Sequence, residues 1–598
     1  MKDPLEYPFD TAALTRGKRA LADRLRTDLG AKGRPCRIAV LGSATTSTLV
    51  GFLELFLLKR GVVPSFYESG FGRWYEEAVF GSEGLDDFNP DIVFIATTSR
   101  SVRVWPEVGA TKDEVDALYS ETCGRFERAW ESLSSRYRRP IVQNGFDAPS
   151  CRLYGNRDAV EPCGRTRFVN RLNAFVADYA ASHADFHLND LAWQCADLGL
   201  TRWHDERSWY LFREPVSRDA AVRIAFNAAN VIAAVLGLSR KAIAVDLDGT
   251  LWGGVIGEVG PDGIEIGPDS PAGEAHADFQ RYLKGLEKRG VPLVALSKND
   301  AAIAEKGLVR PEMVLGKGDF AACRINWEAK SANLCSAAKE LNLSPEAFVF
   351  LDDLPAQRAE VASVFPSVLA PDIGEVEDFV RVLDRTGAFE PVAASAEDAS
   401  RAEMYRANAL RAASRREAGD FDAYLQSLDQ HARIRPLVVS DMERVVQLFA
   451  KCNQFNLTGV RPARAELERR AEDARSLVMT ARLSDRFGDN GLVSALVAET
   501  RDETFEIVSW VMSCRVFQRG LEQAMMDALV AAARERGLRA LVGRYRSTDR
   551  NGVVASLYEG FGFARQEGGD AGEAVFRLDL ENPIPSFNRF VRIDGEGV

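Results

Sequence analysis

Features that would assign the chain to membrane or nucleic-acid-binding proteins are missing from it. Its most apolar early stretch, LVGFLELFLL, is short and carries Glu54, whereas a membrane-spanning helix needs roughly 20 apolar residues. Positive charge is not in excess either, because 75 basic residues stand against 87 acidic ones, for a net charge of -12. A nucleic-acid-binding protein would need a basic face. We therefore expect no membrane and no nucleic acid among the partners.

The cysteines do not show the spacing of a disulfide framework or of a metal site. The nine cysteines are an odd number without closely spaced pairs, at positions 36, 123, 151, 163, 195, 323, 335, 452 and 514. The first ten residues, MKDPLEYPFD, lack the basic and apolar regions of a signal peptide. These observations predict reduced thiols in a cytoplasmic protein.

The length of 598 residues exceeds what one core supports and predicts three or four domains. The pattern of strand, loop and helix restarts three times, which predicts a multidomain α/β protein. The predicted boundaries are an N-terminal α/β domain over 1–236, a central parallel α/β domain over 237–390, a helical linker over 391–431 and an α+β domain over 432–598. In the central domain the strands are predicted at the start of AIAVDLDG, at 291–299, around 312–316 and at 347–353.

The stretch AIAVDLDGTLWGG, residues 242–254, places two aspartates directly after a buried apolar run. Charge beside an apolar strand is costly unless something offsets it. Asp246 and Asp248 are two residues apart, so their side chains share one side of the strand end. The carboxyl ends of parallel strands are where open α/β sheets place their ligands. Other predicted elements supply further polar residues in the same domain: Ser297, Lys330, Asp352 and Asp353.

Phosphoryl transfer through an aspartyl phosphate is the chemistry that needs such a set. One carboxylate attacks phosphorus, and a second protonates the leaving oxygen and later activates water. Mg²⁺ prefers hard oxygen ligands and neutralises the charge that carboxylates and phosphate share. A lysine and a hydroxyl group hold the phosphate oxygens.

The segment DLDGTLWGG resembles the first motif, DxDxT, of the haloacid dehalogenase superfamily of phosphatases. This resemblance implies that Asp246 is the nucleophile and Asp248 the general acid/base. It also implies that Ser297 is the second-motif hydroxyl and Lys330 the third-motif lysine. The implied Mg²⁺ site consists of Asp246, Asp248, Asp352 and Asp353.

Longer segments resemble a narrower family, the FkbH-like proteins, over nearly the whole chain. The segments that carry this resemblance are LDGTLWGGVIGEVG, LSKND, INWEAKSANL, FLDDLPAQRAEV and KCNQFNLTGVR. The resemblance implies that the protein takes the glyceryl group of 1,3-bisphosphoglycerate, removes phosphate and loads glyceryl onto the phosphopantetheine thiol of an acyl carrier protein. The product would serve polyketide-type biosynthesis. One departure is Leu354 in DDLP, where many relatives carry a polar residue.

A thiol on the enzyme would be able to hold the glyceryl group in transit, because neighbouring cations lower the pKa of a thiol. In MSCRVFQRG, Cys514 stands beside Arg515 and close to Arg519. Cys514 is therefore the first candidate, with a small buried residue as the alternative interpretation. Cys452, beside Lys451, is the second candidate.

The last domain resembles the N-acetyltransferase (GNAT) fold, with NGVVASLYEGFGF similar to a segment of that fold. Its expected pyrophosphate loop is altered, since FQRGLE begins with Phe517 and ends with Glu522. A glutamate at a helix N-terminus would repel a pyrophosphate there. We therefore expect this domain to handle an acyl or carrier-protein thioester rather than acetyl-CoA.

The first domain resembles the opening block of the SGNH hydrolase fold at VLGSATTS. It has Gly42-Ser43-Ala44 without an aspartate at the matching place, and His204 lies next to Asp205 rather than three residues after an aspartate. A scaffold or docking role is favoured for it over hydrolysis. For the whole chain, the alternatives are a stand-alone phosphatase for a small phosphate ester, a carrier-protein-binding scaffold and an acyltransferase that uses acyl-CoA.

Overall fold

The chain forms two compact units, Met1–Ala399 and Ser400–Val598, in a computed structural model. None of the helices in the described part of the chain is long and apolar enough to cross a membrane. Most of the helical linker predicted over 391–431 lies outside the described residues, and the four-part division of the chain stays a prediction. The structure describes residues 3–392, 407, 410–411, 414–415, 418–452, 454–462, 464–513, 516–548, 551–566 and 573–594.

The first unit contains two separate parallel sheets. The strands of the first sheet are β1 (Arg34–Gly42), β2 (Val62–Glu68), β3 (Ile92–Ala96), β4 (Ile141–Asn144) and β5 (Phe186–Asn189). Their spatial order is β2-β1-β3-β4-β5, and all neighbours run parallel. Strands β3 and β4 are buried throughout, which is why β3 is an apolar run without alternation.

The helices that accompany this sheet are α1 (Thr11–Leu29), α2 (Ser47–Lys59), α3 (Trp74–Phe80), α4 (Glu83–Phe88), α5 (Lys112–Tyr137), α6 (Arg165–Ser182), α7 (Leu191–Leu198), α8 (Leu200–Trp203), α9 (Glu206–Phe212) and α10 (Arg218–Val235). The parallel α/β architecture predicted for this part of the chain is confirmed. Its narrower resemblance to SGNH hydrolases stays a prediction.

The second sheet positions the aspartates singled out above. Its strands are β6 (Ala242–Val245), β7 (Leu293–Ser297), β8 (Phe320–Ile325) and β9 (Phe348–Leu351). They are parallel in the order β8-β7-β6-β9, so β6 is an interior strand with a partner on each side. The helices of this part are α11 (Ile256–Val259), α12 (Pro271–Lys288), α13 (Ala301–Gly307), α14 (Lys330–Glu340), α15 (Pro355–Val364) and α16 (Phe379–Arg385).

The strand predicted around 312–316 is wrong, because the third strand along the chain in this sheet begins at Phe320. The backbone N–H groups of Val314 and Leu315 instead donate to the side-chain oxygen of Gln280, each at 2.9 Å. Buried backbone donors need a partner, and here a side chain of α12 supplies it. An apolar run in the sequence does not reveal such a distant acceptor.

The second unit is built on a mixed sheet. Its strands are β10 (Gln430–Pro436), β11 (Phe455–Asn456), β12 (Ser476–Asp485), β13 (Gly488–Arg501), β14 (Thr504–Met512), β15 (Ala540–Arg546), β16 (Ala564–Gln566), β17 (Glu573–Asp579) and β18 (Val591–Ile593). Its helices are α17 (Phe421–Ser427), α18 (Met442–Lys451), α19 (Arg464–Glu472), α20 (Leu521–Glu535) and α21 (Leu557–Gly560).

The strands β12, β13 and β14 are antiparallel, whereas β14 and β15 are parallel neighbours. Parallel neighbours need a crossover connection, and α20 lies in the segment that joins these two. The α+β organisation predicted from antiparallel strands, a helix and a further strand is confirmed.

Candidate active site

Asp246 stands at the carboxyl end of the interior strand β6. The strand residues before it are fully buried, and the Asp246 backbone N–H donates to the Leu351 carbonyl of β9 at 2.9 Å. This hydrogen bond continues the sheet pairing up to the aspartate itself. The side chain is thereby held at the carboxyl end of the sheet strands, with only 6% of the residue exposed.

Asp352 and Asp353 follow β9 and lie beside Asp246. The three carboxylates each offer an oxygen atom within 4.8 Å of the others. Asp352 is fully buried, and Asp353 is held by Thr250, whose hydroxyl donates to Asp353 Oδ1 at 3.2 Å. These three residues, called the acidic cluster below, form the kind of oxygen-rich set that binds Mg²⁺.

Lys330, the first residue of α14, forms ion pairs with two members of the acidic cluster. Its Nζ lies 2.6 Å from Asp246 Oδ1 and 3.3 Å from Asp352 Oδ2. It also donates to the Leu296 carbonyl of β7 at 2.5 Å. The residue is only 1% exposed, so its charge is held against the two aspartates with little screening by solvent.

One lysine does not balance three carboxylates. Burial raises the pKa of the Asp246 carboxyl, and the Lys330 ion pair offsets this rise only in part. Burial also raises the pKa of Asp352, for the same reason. Asp352 Oδ2 has no aligned hydrogen bond among the described residues. A buried carboxylate oxygen without an aligned donor is costly, so the geometry favours an additional cation.

The Asp248 carboxylate is engaged elsewhere and is not one of the three members of the acidic cluster. Its Oδ1 accepts hydrogen bonds from Trp252 Nε1 at 2.8 Å and from the Ile256 backbone N–H at 3.1 Å. Its Oδ2 accepts from Asn299 Nδ2 at 2.7 Å. The structure therefore gathers three of the four carboxylates proposed as metal ligands and directs the fourth to other partners.

Ser297 ends β7 and is buried. Its hydroxyl oxygen accepts a hydrogen bond from Asn299 Nδ2 at 3.0 Å. Sequence reasoning assigned no role to Asn299 or to Thr250, although both lie inside the quoted segments LSKND and DLDGT. The signal for Asn299 was its spacing of two residues from Ser297 at the strand end. Thr250 lies in a turn and contacts Asp353, so its spacing from Asp248 gave no such signal.

Leu354 contributes its backbone rather than its side chain. Its N–H donates to Asp352 Oδ1 at 3.0 Å, whereas 51% of the residue is exposed. Any residue except proline supplies that N–H. The departure from the polar residue of many relatives therefore leaves this hydrogen bond unchanged.

The cysteine proposed as the acyl carrier, Cys514, and its neighbour Arg515 lie outside the described residues. Arg519 is buried and forms an ion pair with Asp485, so its charge is already compensated. Cys452 is half-buried at the C-terminal end of α18. The role of either thiol stays a prediction.

The side-chain carboxylate of Glu522 lies at the N-terminus of α20. The residue is buried, its Oε1 accepts the Gln518 backbone N–H at 2.9 Å, and burial raises the pKa of its carboxyl. A protein carboxylate thus lies where a helix N-terminus would otherwise attract an anion. The expectation that this domain does not use acetyl-CoA stays a prediction.

At the carboxyl end of β1, Ser43 Oγ hydrogen-bonds to Ser101 Oγ at 2.5 Å. The His204 ring hydrogen-bonds to the Ala148 carbonyl at 2.9 Å and lies 3.9 Å from Asp147. These contacts do not pair the serine with the histidine. Hydrolysis would need a base beside the hydroxyl, so the geometry gives the hydrolase interpretation no support.

No family model and no curated protein matches the chain. The solved structure of the N-terminal part of the protein BF1531 from Bacteroides fragilis, described as containing a phosphatase domain complexed with Mg, matches with a TM-score of 0.58 and 24% identity. The match covers 63% of this chain and 99% of that chain.

Two acetyltransferase structures match less well. They are the ribosomal-protein-S18-alanine N-acetyltransferase from Escherichia coli (13% identity, TM-score 0.20, 25% of this chain and 94% of that chain) and the GNAT domain of S. lividans PAT (17% identity, TM-score 0.21, 25% of this chain and 90% of that chain). These two scores are too low to carry an argument. The Bacteroides match shows a shared fold over the part of the chain that it covers.

Proposed function

We propose that the first unit is a Mg²⁺-dependent phosphatase of the haloacid dehalogenase type. The observation that carries the proposal is the acidic cluster at the carboxyl end of the second sheet, with Lys330 buried against Asp246 and Asp352. The Bacteroides protein with a similar fold contains a phosphatase domain and was crystallised with Mg. The motif resemblance of DLDGT supports the same assignment.

The residues of the acidic cluster fit Mg²⁺. Carboxylate oxygens are the hard ligands that this ion prefers, and Asp352 Oδ2 is a buried oxygen without an aligned donor. Asp246, Asp352 and Asp353 would hold the ion. When bound, Mg²⁺ neutralises the charge that the carboxylates share with a phosphate group.

The chain's own residues supply the bond-making groups. An Asp246 oxygen attacks phosphorus, the bond from phosphorus to the ester oxygen breaks, and Asp248 gives that oxygen a proton. Asp248 then takes a proton from a water molecule, and the water oxygen attacks the phosphorus of the aspartyl phosphate. The bond from phosphorus to the Asp246 oxygen breaks, so that inorganic phosphate is released and the Asp246 carboxylate is restored. Ser297 would donate its hydroxyl hydrogen to a phosphate oxygen.

Gly249 leaves the space that the Asp353 carboxylate of the acidic cluster occupies. It has a φ of +66°, and a Cβ there would lie 2.5 Å from Asp353 Oδ2. Gly249→Ala would displace this carboxylate, and we expect Mg²⁺ affinity to fall about 10- to 100-fold, as when other supports of metal ligands are removed. Isothermal titration calorimetry with Mg²⁺ measures this change.

Gly260→Ala is the matched control for that experiment. Gly260 has a similar φ of +73°, but a Cβ there meets no atom within 4 Å. Its substitution therefore introduces the same backbone strain without touching a carboxylate. Equal Mg²⁺ affinities of the two variants would contradict the prediction.

The finer proposal is that this phosphatase belongs to a glyceryl transferase that loads an acyl carrier protein. The support is the resemblance of five segments, spread over the phosphatase part and the second unit, to FkbH-like proteins. In the reaction, a thiolate attacks the acyl carbon of 1,3-bisphosphoglycerate and a carbon–sulfur bond forms. The bond from the acyl carbon to the phosphate oxygen breaks, and inorganic phosphate leaves. The remaining phosphate ester is inert toward thiols and is the substrate of the phosphatase.

The partner would be a phosphopantetheinylated acyl carrier protein, whose thiol accepts the glyceryl group. Cys514 is proposed to hold that group first, as an enzyme thioester. A covalent intermediate divides one difficult transfer into two easier ones. A glyceryl adduct on the enzyme that disappears in Cys514→Ala would support this role.

Intact-protein mass spectrometry of the carrier protein tests the proposal. The carrier is incubated with the enzyme, Mg²⁺ and freshly generated 1,3-bisphosphoglycerate. A gain of one glyceryl group is expected, and Asp246→Asn is expected to give a phosphoglyceryl group instead. Release of phosphate without a mass gain on any carrier protein would favour the stand-alone phosphatase. If neither phosphate release nor a mass gain occurs, both the transferase proposal and the phosphatase proposal are contradicted.

A further inference from the structure

Asn299 connects two groups of the proposed reaction that come from different strands. Its Nδ2 donates to Asp248 Oδ2 at 2.7 Å and to Ser297 Oγ at 3.0 Å. An amide nitrogen carries two hydrogens, so these two bonds use both of them. The opposite orientation of the amide would place its oxygen against the Asp248 carboxylate, where two acceptors would face each other.

The donors around Asp248 leave one of its oxygens less occupied. Oδ1 accepts from Trp252 Nε1 and from the Ile256 N–H, whereas Oδ2 accepts from Asn299. A carboxylate has about four acceptor positions, two on each oxygen. The remaining position therefore lies on Oδ2, and the bond from Asn299 determines in which direction it points.

The bond from Asn299 to Ser297 has a similar consequence for the hydroxyl group. A hydroxyl has one hydrogen and two acceptor positions. Because Ser297 Oγ accepts from Asn299, its own hydrogen is directed away from that side and remains available to a ligand. Asn299 itself is only 4% exposed, and a buried amide with two hydrogen bonds has little freedom to reorient.

We propose that Asn299 is a positioning residue that orients both the proton-transfer carboxylate of Asp248 and the phosphate-binding hydroxyl of Ser297. The proton that passes to the leaving oxygen is carried on Asp248 Oδ2, at the position that Asn299 leaves open. This inference rests on the proposed phosphatase function. It adds a residue that acts through two others rather than on the substrate itself.

The test compares two substrates that need different amounts of proton transfer. The phenolate leaving group of p-nitrophenyl phosphate departs without much protonation, whereas the alkoxide of glycerol 3-phosphate needs a proton. Asn299→Ala is expected to lower kcat about 100-fold for glycerol 3-phosphate, within the range of general acid catalysis. The loss for p-nitrophenyl phosphate is expected to stay below about 10-fold, a smaller factor because little proton transfer is needed.

Two further variants separate the two bonds of Asn299. Trp252→Phe removes a donor to Asp248 but none to Ser297, so its loss is expected mainly with the alkyl ester. Ser297→Ala removes the hydroxyl but no donor to Asp248, so both substrates are expected to lose activity equally. Circular dichroism and the thermal midpoint report whether each variant folds. Asn299→Leu, which fills similar space without an amide nitrogen, replaces Asn299→Ala if that variant does not fold.

Equal losses for both substrates in Asn299→Ala and Trp252→Phe would overturn the inference, as would no loss in either variant. Failure of the proposed function gives a different result. In that case the wild-type protein with Mg²⁺ would hydrolyse neither substrate, and the ratio between substrates would not be measurable.

Discussion

Replacing Asp246 with asparagine is expected to lower phosphate release at least 1,000-fold, because loss of a nucleophile removes the covalent step. The amide nearly matches the carboxylate in shape but does not attack phosphorus. Lys330 retains its second aspartate, Asp352, 3.3 Å away, so the lysine is not left unpaired. The fold is therefore expected to persist, which circular dichroism checks while colorimetric phosphate release measures activity.

Asp300→Asn is the matched control for this substitution. Asp300 lies beyond the end of β7 and caps α13, with Oδ1 accepting the Ala302 N–H at 2.9 Å. Asparagine caps helices about as well as aspartate, so activity and stability are expected to remain. Full phosphatase activity in Asp246→Asn would remove the basis of the proposed mechanism.

Lys330→Met is expected to destabilise the first unit by about 3–5 kcal/mol, the cost of breaking a buried ion pair on one side. Methionine fills similar space but leaves the buried carboxylates of Asp246 and Asp352 without their common cation. Mg²⁺ binds the folded form and is expected to restore part of the loss. Urea unfolding of the wild type and the variant, with and without Mg²⁺, measures both effects.

Lys284→Met provides the comparison at a partly exposed ion pair. Lys284 pairs with Asp319, and both side chains retain contact with solvent, 28% and 16% exposed. Ion pairs of this kind contribute at most about 1 kcal/mol. If the two lysine variants unfold at the same urea concentration, the buried ion pairs of Lys330 stabilise the first unit no more than a surface pair does, and the expected difference is wrong.

The position of the candidate site was predictable from the sequence because of how parallel sheets are built. Asp246, Ser297 and Asp352 each stand at or directly after the carboxyl end of a buried strand. Those ends lie on the same edge whenever the strands are parallel neighbours. Residues far apart in the sequence are thereby brought together by strand order alone.

The direction of the Asp248 side chain was not predictable in the same way. Two aspartates two residues apart share a side of an extended strand, which suggested a common ion. After Asp246, however, the chain turns, and the Leu251 and Trp252 N–H groups both donate to the Leu247 carbonyl. The turn places Trp252 Nε1 within reach of Asp248, so hydrogen bonds rather than strand geometry orient this carboxylate.

The sequence by itself determined the parallel α/β class of the first unit, the α+β class of the second and the residue types of the proposed phosphoryl-transfer site, since these depend on local patterns of apolar and polar residues. The tertiary structure alone decided which carboxylates meet, the burial of Lys330 between two of them and the double contact of Asn299. It also decided that 312–316 is not a strand, because Gln280 accepts its backbone donors. Such contacts depend on distances between segments far apart in the chain, which spacing along the sequence does not encode.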